Sequence, residues 1–407
     1  MSPTDKVAEG ASLQPDFVPL IVPEICGNEW KYVKECLDTN WVSSVGSYVD
    51  QFEKMTAERA GTKFAVATVN GTAALHIALL LAGVEADDEV LVSTLTFIAP
   101  ANAIRYVGAW PVFIDAEPRY LQIDPAGVVD FLEKDCQWDG QILRNRRTDR
   151  RVKAILPVHI LGHPVDLDPI LEVAAKYSLP VIEDATEGLG ARYRGKSLGS
   201  FGDAGCFSFN GNKIITTGGG GMLVTNNAGW AARARYLTTQ AKDDPIEYVH
   251  NAVGYNYRLT NMLAAMGCAQ MEQLDTFIEA KRQIAKRYQE SMTALAGVHL
   301  PEEADWAFSS FWMYTVLIDE SVSPLDSRKL IQELADQKIQ TRPLWQPIHR
   351  SRAHSNTASP PSPNADMLYR RAVSLPCSVG LTTCAQDRVV DVIAGLMKNK
   401  NPTLTRQ

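Results

Sequence analysis

The sequence predicts an α/β fold, with a large domain built on a mostly parallel sheet and a smaller α+β domain towards the C-terminus. Two observations support this prediction. Between Phe64 and Asp184, short β-branched runs alternate with helical stretches, a pattern typical of parallel strands joined by helices. In addition, the chain has 407 residues and is 45% hydrophobic, which is more than one ordinary domain requires.

The predicted elements of the large domain follow one another along the chain. The strands are FAVATV, EVLVS, PVFID, VKAILPV and LPVIED, and GCFSFN and GMLVTN extend the sheet. The helical stretches between them are TAALHIALLLAG and DLDPILEVAAKY. Residues 261–295 then predict one or two long helices that lead out of the large domain.

The domain boundaries are drawn from these elements. Residues 1–16 contain too little apolar material to offset the entropy of ordering, so they are predicted to be a disordered lead. The other assignments are a large domain at 17–270, a linking helix at 271–299, a small domain at 300–397 and a tail at 398–407. In the small domain FWMYTVLI predicts a strand, DSRKLIQELADQ and QDRVVDVIAGLMK predict helices, and SNTASPPSPN predicts a surface loop.

Composition disfavours several classes of function. The net charge of −7, without a lysine or arginine cluster, disfavours nucleic-acid binding. No run approaches the ~20 apolar residues of a membrane span, and the N-terminus lacks the order of a signal peptide. We therefore expect a cytoplasmic protein. The seven cysteines are scattered and the histidines dispersed, which predicts reduced thiols and no metal site.

One phosphate-binding pattern occurs in the wrong context. Residues 190–197, GARYRGKS, match the P-loop pattern G-x-x-x-x-G-K-[ST]. A P-loop needs a helix that starts at its Lys-Ser pair, whereas the glycine-rich SLGSFGDAG follows here. A nucleoside triphosphatase is therefore disfavoured.

Two segments carry candidate catalytic residues. The strand in VIEDATEGLG ends at Glu183 and Asp184, where open α/β sheets bind ligands. Alone, such a pair is more often a helix cap or a solvated turn. Further along, SFNGNKIITTGGGG places Lys213 between an apolar strand and a glycine-rich turn. Partial burial there would favour a neutral, nucleophilic amine, although a surface lysine beside a loop is the alternative.

Together with two further motifs, these residues match the requirements of pyridoxal phosphate. This cofactor needs a lysine, a carboxylate for its ring nitrogen, a phosphate cradle and a flat face against its ring. Asn70, Gly71 and Thr72 lie between a strand and a helix, where backbone N–H groups suit a phosphate, although a simple helix cap is also possible. Phe97 could stack on the ring, although a phenylalanine there is more often part of a core.

The order of these motifs resembles the DegT/DnrJ/EryC1/StrS sugar aminotransferases, from about Val22 to Met397. This resemblance implies the pyridoxal-phosphate-dependent transferase fold type I. It also implies that Lys213 bonds to the cofactor and that Asp184 holds the pyridine nitrogen. The matching segments are WVSSVGSYVDQFE, NGTAALHIAL, TFIAPANAIRYVGAWPVFIDAE, PVHILGHPVDLDPI, VIEDATEGLGARYRGKSLGSFGDAGCFSFNGNKIITTGGGG, GYNYRLTNMLAAMG, WMYTVLI and RPLWQPIH.

By the same resemblance the active site is shared between two subunits. Thr72 and Ser208 would join the phosphate site, and Asn256 would reach it from the neighbouring subunit, which implies a homodimer. The sequence departs from the family pattern at Glu187, where many members carry glutamine to bond the cofactor's phenolic oxygen, and at residues 159–162, HILG in place of HLYG. A carboxylate at 187 would repel that oxygen unless protonated or turned away.

The resemblance also implies the substrates. Because Lys213 is not replaced by histidine, as in dehydratase-like relatives, we expect transamination from L-glutamate to a nucleotide-linked ketosugar. Residues 28–53 resemble the branch that aminates C4 of 4-keto-6-deoxy-N-acetylhexosamines towards bacillosamine or legionaminic acid, for lipopolysaccharide or another glycan. UDP is the expected nucleotide, and a GDP-linked 4-keto or a 3-keto sugar is the alternative.

Five residues in matching segments are candidates for the sugar or nucleotide pocket, although tryptophans are as often packed in a core. A second class of function is a non-catalytic regulator that binds cofactor or sugar nucleotide, against which the intact Lys213 and Asp184 count. The candidate substrate residues are Trp41, Ser43, Ser44, Trp345 and His349.

Overall fold

The computed structural model describes residues 16–244, 246–355 and 357–398. Of the predicted lead at 1–16 only Asp16 is described, and of the tail at 398–407 only Lys398, so both predictions otherwise lie outside the described residues. In the described part of the chain, no helix has both the length and the apolar character that crossing a membrane requires.

Helices and strands alternate through the first half of the chain. The helices are α1 (Glu29–Asp38), α2 (Ser47–Ala60), α3 (Gly71–Leu81), α4 (Ala99–Tyr106), α5 (Pro125–Asp130), α6 (Asp168–Lys176), α7 (Ala228–Thr238), α8 (Asn261–Glu272), α9 (Leu274–Met292), α10 (Ser327–Asp336), α11 (Pro363–Arg371) and α12 (Thr383–Lys398). The strands are β1 (Phe64–Thr68), β2 (Glu89–Ser93), β3 (Trp110–Ile114), β4 (Cys136–Trp138), β5 (Leu143–Asn145), β6 (Val152–Leu156), β7 (Ile182–Asp184), β8 (Arg192–Tyr193), β9 (Lys196–Ser197), β10 (Ala204–Ser208), β11 (Gly221–Thr225), β12 (Val298–His299), β13 (Ala307–Phe308), β14 (Tyr314–Ile318) and β15 (Ala372–Leu375).

The central sheet contains the strands that the sequence predicts. Its order is β3-β2-β6-β7-β10-β11-β1, in which single bridges, Ile155 with Val181 and Val158 with Asp184, join the β6 and β7 segments. All neighbours are parallel except that β11 runs antiparallel to both β10 and β1. The predicted α/β fold with a mostly parallel sheet is therefore confirmed.

Both faces of this sheet are buried. In β1, Ala65 and Ala67 belong to one hydrophobic cluster, while Val66 between them belongs to the other. In β2, Val90 and Leu91 likewise point to different clusters. Successive side chains of a strand face opposite sides of the sheet. This is why these strands are continuous apolar runs rather than alternating polar and apolar residues.

The C-terminal part forms a second, antiparallel sheet, β12-β14-β15. The start of the described chain lies against this part, because Val18 forms a parallel bridge with Ile339. The predicted Ser/Pro loop contacts the central sheet through Ser359, whose Oγ accepts from the Phe113 N–H at 2.9 Å. The boundaries assigned to the domains remain predictions.

The segment that matches the P-loop pattern forms a β-hairpin. Within GARYRGKS, β8 pairs antiparallel with β9, and β8 also pairs with β13. No helix starts at its Lys-Ser pair, which belongs to β9. The predicted pair of long helices is present as α8 and α9.

Candidate active site

A cavity of about 310 Å³ lies where strands of the central sheet end. Asp184 ends β7, Ser208 ends β10, and α3 begins shortly after β1, so these side chains meet at the carboxyl edge of the sheet. Most of the predicted site residues line this cavity. They are Gly71, Thr72, Phe97, Asp184, Glu187, Ser208, Lys213 and Trp345.

The two acidic residues at the end of β7 have different roles. Asp184 is buried in the cavity wall, and its Oδ1 accepts from the Thr186 N–H at 3.1 Å. Burial raises the pKa of Asp184, and hydrogen bonds from Thr186 and the charge of Lys213 oppose that rise. The ionised form of such a buried carboxyl group is stabilised when a cationic group lies beside it.

Glu183, in contrast, fixes the backbone beside the sheet. Its Oε1 accepts from the N–H groups of Phe201 at 2.7 Å and Gly202 at 2.8 Å, and its Oε2 accepts from Gly199 at 2.8 Å. The fully buried His159 accepts from the Val165 N–H at its Nδ1, so the neutral ring carries its proton on Nε2. That Nε2 lies 3.2 Å from Glu183 Oε2 and donates to it.

The candidate lysine reaches the cavity from the loop after β10. Lys213 Nζ lies 3.3 Å from Glu187 Oε1 and 4.2 Å from the centroid of the Trp312 ring. Its side chain is 14% exposed. The Trp312 ring is itself held, because its Nε1 donates to the Asn212 carbonyl at 2.8 Å. Lys213 is therefore positioned between a carboxylate and an aromatic face.

Glu187 connects the two departures from the family pattern. Its Oε2 accepts from the N–H of Leu161 at 2.9 Å, while Oε1 faces Lys213. Burial raises the pKa of Glu187, and the nearby Lys213 lowers it. Leu161 belongs to the HILG segment and has a left-handed φ of 61°. The altered turn thus supplies the donor that holds the altered side chain.

The phosphate cradle predicted at 70–72 is the start of α3. Asn70 caps the helix, because its Oδ1 accepts from the Ala73 N–H at 2.8 Å. Gly71 and Thr72 lie in the first turn, whose N–H groups have no partners within a helix. A Cβ on Gly71 would lie 2.9 Å from Ser208 Cβ and 3.0 Å from Thr186 Cγ2. Only glycine leaves this space open. The helix cap at Asn70 and a phosphate cradle at Gly71 and Thr72 are therefore compatible.

These residues fit pyridoxal phosphate. A side chain at 71 would fill the cradle that the phosphate needs, and Asp184 offers a buried carboxylate to a protonated ring nitrogen. Phe97 lines the cavity with 53% of its surface exposed, so a face of its ring is available for stacking. When bound, this cofactor acts as an electron sink for negative charge on the α-carbon of an amino acid.

Several predicted residues do not line the cavity. Trp41 is 55% exposed, and its carbonyl accepts from Asn261 Nδ2 at 2.8 Å. Ser43 and Ser44 lie in the same segment, and the Ser43 carbonyl accepts from the Asn261 N–H. Asn256 is exposed in a bridge to Thr239. Their roles in substrate or cofactor binding remain predictions.

His349 is held by protein groups beside the cavity. Its Nδ1 lies 2.7 Å from Thr94 Oγ1, and its Nε2 lies 3.3 Å from Asp366 Oδ1. Through the contact with Thr94, the His349 ring holds the 348–350 turn against the end of β2. The predicted contact of His349 with substrate remains a prediction.

The structure adds lining residues that the sequence analysis did not select. Thr186 and Asn210 lie within segments that the analysis quoted, next to selected residues, and the pattern gave no reason to choose them. Trp312 follows Lys213 by 99 residues (312 − 213) in an apolar run. No local spacing rule could place its ring against that amine. The further lining residues that were not selected are Leu75, Thr96, Ala99, Pro100, Asn212 and Gly220.

Comparison with known proteins gives matches over most of the chain. The profile of the DegT/DnrJ/EryC1/StrS aminotransferase family matches residues 23–394. The chain is 41% identical over 374 residues to the GDP-perosamine synthase of Caulobacter vibrioides, covering 92% of this chain and 96% of that protein. It is 39% identical over 360 residues to the GDP-perosamine synthase of Escherichia coli O157:H7, covering 88% of this chain and 93% of that protein. Among solved structures, DesI in the presence of its TDP-sugar product matches with a TM-score of 0.85 at 28% identity, covering 95% of this chain and 94% of that one.

Proposed function

Because this chain belongs to the DegT/DnrJ/EryC1/StrS aminotransferase family and is thus a pyridoxal-phosphate-dependent sugar aminotransferase, we propose that it moves the amino group of L-glutamate to C4 of a nucleotide-linked 4-keto-6-deoxyhexose. The observation that carries this proposal is the cavity in which Lys213 and the buried Asp184 meet at the sheet edge. A lysine amine and a carboxylate are the two groups that amino-group transfer with this cofactor requires.

Each residue of the cavity has a distinct task in this proposal. Lys213 Nζ takes the proton from the α-carbon of L-glutamate and later delivers one to C4 of the sugar. The Asp184 carboxylate keeps the cofactor's ring nitrogen protonated. Gly71, Thr72 and Ser208 bind the phosphate at the start of α3, where the helix dipole favours an anion.

GDP is the nucleotide that we now favour. Two relatives, 41% and 39% identical, are named GDP-perosamine synthase. Perosamine is a 4-amino-4,6-dideoxyhexose. The name of these relatives therefore indicates both the nucleotide and amination at C4. A UDP-linked 4-keto-6-deoxy-N-acetylhexosamine of the bacillosamine branch is the second candidate, on the resemblance of residues 28–53. The cytoplasmic location and the role in lipopolysaccharide or other glycan synthesis remain predictions.

A direct assay separates these substrates. Purified protein loaded with cofactor would be given L-glutamate and one of three acceptors: the GDP-linked 4-ketosugar, the UDP-linked 4-ketosugar or a nucleotide-linked 3-ketosugar. Mass spectrometry would identify the product, and NMR would locate the aminated carbon. Amination of the GDP-sugar at C4 supports the proposal, and the Lys213→Ala variant should form no product. Product from a 3-keto sugar alone would reject the C4 assignment, and turnover by Lys213→Ala would reject the catalytic lysine.

We also propose a homodimer in which Asn256 completes the partner's phosphate site. Asn256 is exposed and lies outside the cavity of its own chain. Nearby, Ile246, Tyr248 and Val253 expose 83%, 68% and 80% of their surfaces, and such apolar exposure is typical of an interaction site.

Mixed dimers test the shared site. If sites are shared, mixing Lys213→Ala with Asn256→Ala protein creates dimers in which one site has both an intact Lys213 and an intact Asn256. Activity should then exceed that of either variant alone. Subunit exchange would be verified by native mass spectrometry. Activity that then stays at the average of the two parents would contradict the shared site.

A further inference from the structure

Glu187 and Lys213 form a close and largely buried acid–base pair. Lys213 Nζ lies 3.3 Å from Glu187 Oε1, and the two side chains are 14% and 5% exposed, respectively. The family pattern leads one to expect glutamine at 187, whose amide does not titrate in this range. A carboxyl group at this place can hold a proton, so the substitution changes the chemistry available to the lysine.

The turn around Leu161 fixes which oxygen of Glu187 faces the lysine. The Leu161 N–H donates to Glu187 Oε2 at 2.9 Å. Leu161 and Gly162 both have left-handed backbones, with φ of 61° and 86°. A Cβ on Gly162 would lie 2.6 Å from the backbone nitrogen of Trp312 and 2.5 Å from Ser310 Oγ. The turn is therefore packed directly against residues 310–312. With Oε2 held by this turn, Oε1 is the oxygen left for Lys213.

We propose that Glu187 and Lys213 exchange one proton, with Glu187 Oε1 holding it while Lys213 acts as a neutral amine. In the forward direction an N–H bond of the ammonium breaks, its electron pair stays on Nζ, and an O–H bond forms on Oε1. The reverse transfer restores the ammonium. This inference rests on the proposed function, in which Lys213 moves protons between substrate carbons.

The charges around the pair support this exchange. The charged groups that act on Glu187 are Lys213, from the loop after β10, and Asp184, from β7. Burial raises the pKa of Glu187 most, Asp184 raises it further, and Lys213 lowers it. Burial disfavours the ionised form of Glu187, and this favours the protonated acid that the exchange requires.

The first test uses the cofactor-free protein, so it does not depend on turnover. Carboxyl-labelled glutamate would be followed by ¹³C NMR during a pH titration, with Glu187→Gln identifying the Glu187 resonance by its loss. We expect this resonance to titrate above the ordinary glutamate range, and still higher in Lys213→Ala, because the lysine charge lowers the pKa of Glu187. A Glu187 resonance that titrates in the ordinary range, or that is unaffected by Lys213→Ala, would overturn the proposal.

The second test measures the rate against pH. Glu187→Gln keeps the size of the side chain and an oxygen for the Leu161 N–H, but it cannot hold the proton. We expect kcat to fall by about 10²-fold, the lower end for acid–base catalysis, with a changed pH profile and a KM for L-glutamate within a few-fold of wild type. The matched control Glu290→Gln, at an exposed position of α9, should leave both unchanged.

The outcomes separate this inference from the proposed function. Wild-type kcat and pH profile in Glu187→Gln would overturn the proton exchange while leaving Lys213 as the catalytic lysine. Turnover by Lys213→Ala would instead reject the proposed function, whatever the titration shows. A role of Glu187 in shape alone predicts a lower kcat with an unshifted pH profile, and that result would also overturn the exchange.

Discussion

Lys281 Nζ lies 2.8 Å from the carbonyl oxygen of Trp312 and also donates to the carbonyl oxygen of Cys377. Lys281 is buried in α9 and contacts the backbone of Trp312, whose ring contacts Lys213 in the cavity. Buried lysines are rare because an ammonium is costly to remove from water. The Lys281 amine donates to two backbone carbonyl groups. It thereby holds the Trp312 segment, which forms one wall of the active site.

Replacing Lys281 with methionine should destabilise the protein and loosen that wall. The change keeps the length of the side chain but leaves two buried carbonyl oxygens without this donor, at a cost of about 1 to 3 kcal/mol each. Urea unfolding measures the loss of stability. Because the chain has eight tryptophans, the Trp312 signal is isolated as the fluorescence difference between each cofactor-free protein and the same protein carrying Trp312→Phe. Lys286→Met, at an exposed position of the same helix, is the control. Unchanged stability in Lys281→Met would show that water replaces these bonds.

The same residue predicts a pH dependence. Burial lowers the pKa of Lys281 below its ordinary value of 10.5. The unfolded state therefore binds the proton more tightly, so the stability of wild type relative to Lys281→Met should rise as pH increases towards that value. A stability difference between the two that falls over the alkaline range would contradict a depressed pKa.

Adding one methyl group at Gly71 should obstruct the phosphate cradle. In Gly71→Ala the new Cβ would lie 2.9 Å from Ser208 Cβ and 3.0 Å from Thr186 Cγ2. Overpacking of this kind costs about 1 to 3 kcal/mol, so equilibrium titration should show cofactor binding weakened by about tenfold or more. Gly395→Ala is the matched control, because nothing lies within 4 Å of its Cβ in α12. Equal affinities in the two variants would place the phosphate elsewhere.

Most of the fold and much of the site could be predicted because their signals are local. The strands around Val66 and Leu91 are apolar runs bounded by turn residues, and both faces of the sheet are buried. Asp184 ends a strand, and Gly71 and Lys213 follow strand ends within a few residues, at the edge where a parallel sheet gathers its ligands. For these residues, the position along the chain relative to the strands is enough to predict the place in the fold.

What could not be predicted depends on contacts between distant segments. The bond between Leu161 and Glu187 joins two loops, and the sequence analysis treated the two departures as separate. The support that Lys281 gives to Trp312 is also tertiary, since periodicity assigns a residue to a helix face without identifying the groups opposite. The strand pattern alone could not decide between Glu183 and Asp184, because consecutive strand residues face opposite sides and packing determines which side holds the ligand. Only the family resemblance selected Asp184.

Replacing Asp184 with asparagine should strengthen the cofactor-free protein while weakening cofactor binding. Burial raises the pKa of Asp184 above its ordinary 3.8. The folded wild type therefore loses stability as pH rises through that raised value, whereas asparagine does not titrate. Thermal unfolding without cofactor should show an advantage of Asp184→Asn that grows from pH 4 towards neutrality. Cofactor affinity should fall by about 10- to 100-fold, with the loss of a charge-assisted bond worth about 1.5 to 3 kcal/mol.

The neighbouring substitution Glu183→Gln should have the opposite effect: it should destabilise the protein and leave cofactor binding nearly unchanged. An amide keeps one oxygen, so two of the four N–H groups that Glu183 accepts would face an NH₂ group instead. Leaving two buried donors unsatisfied costs about 1 to 3 kcal/mol each, and urea unfolding should detect it. The exposed Glu172→Gln in α6 is the control. Because Glu183 does not line the cavity, the folded variant should bind the cofactor within a few-fold of wild type. If Glu183→Gln instead kept its stability and lost cofactor, the carboxylate assigned to the ring nitrogen would have to be exchanged with its neighbour.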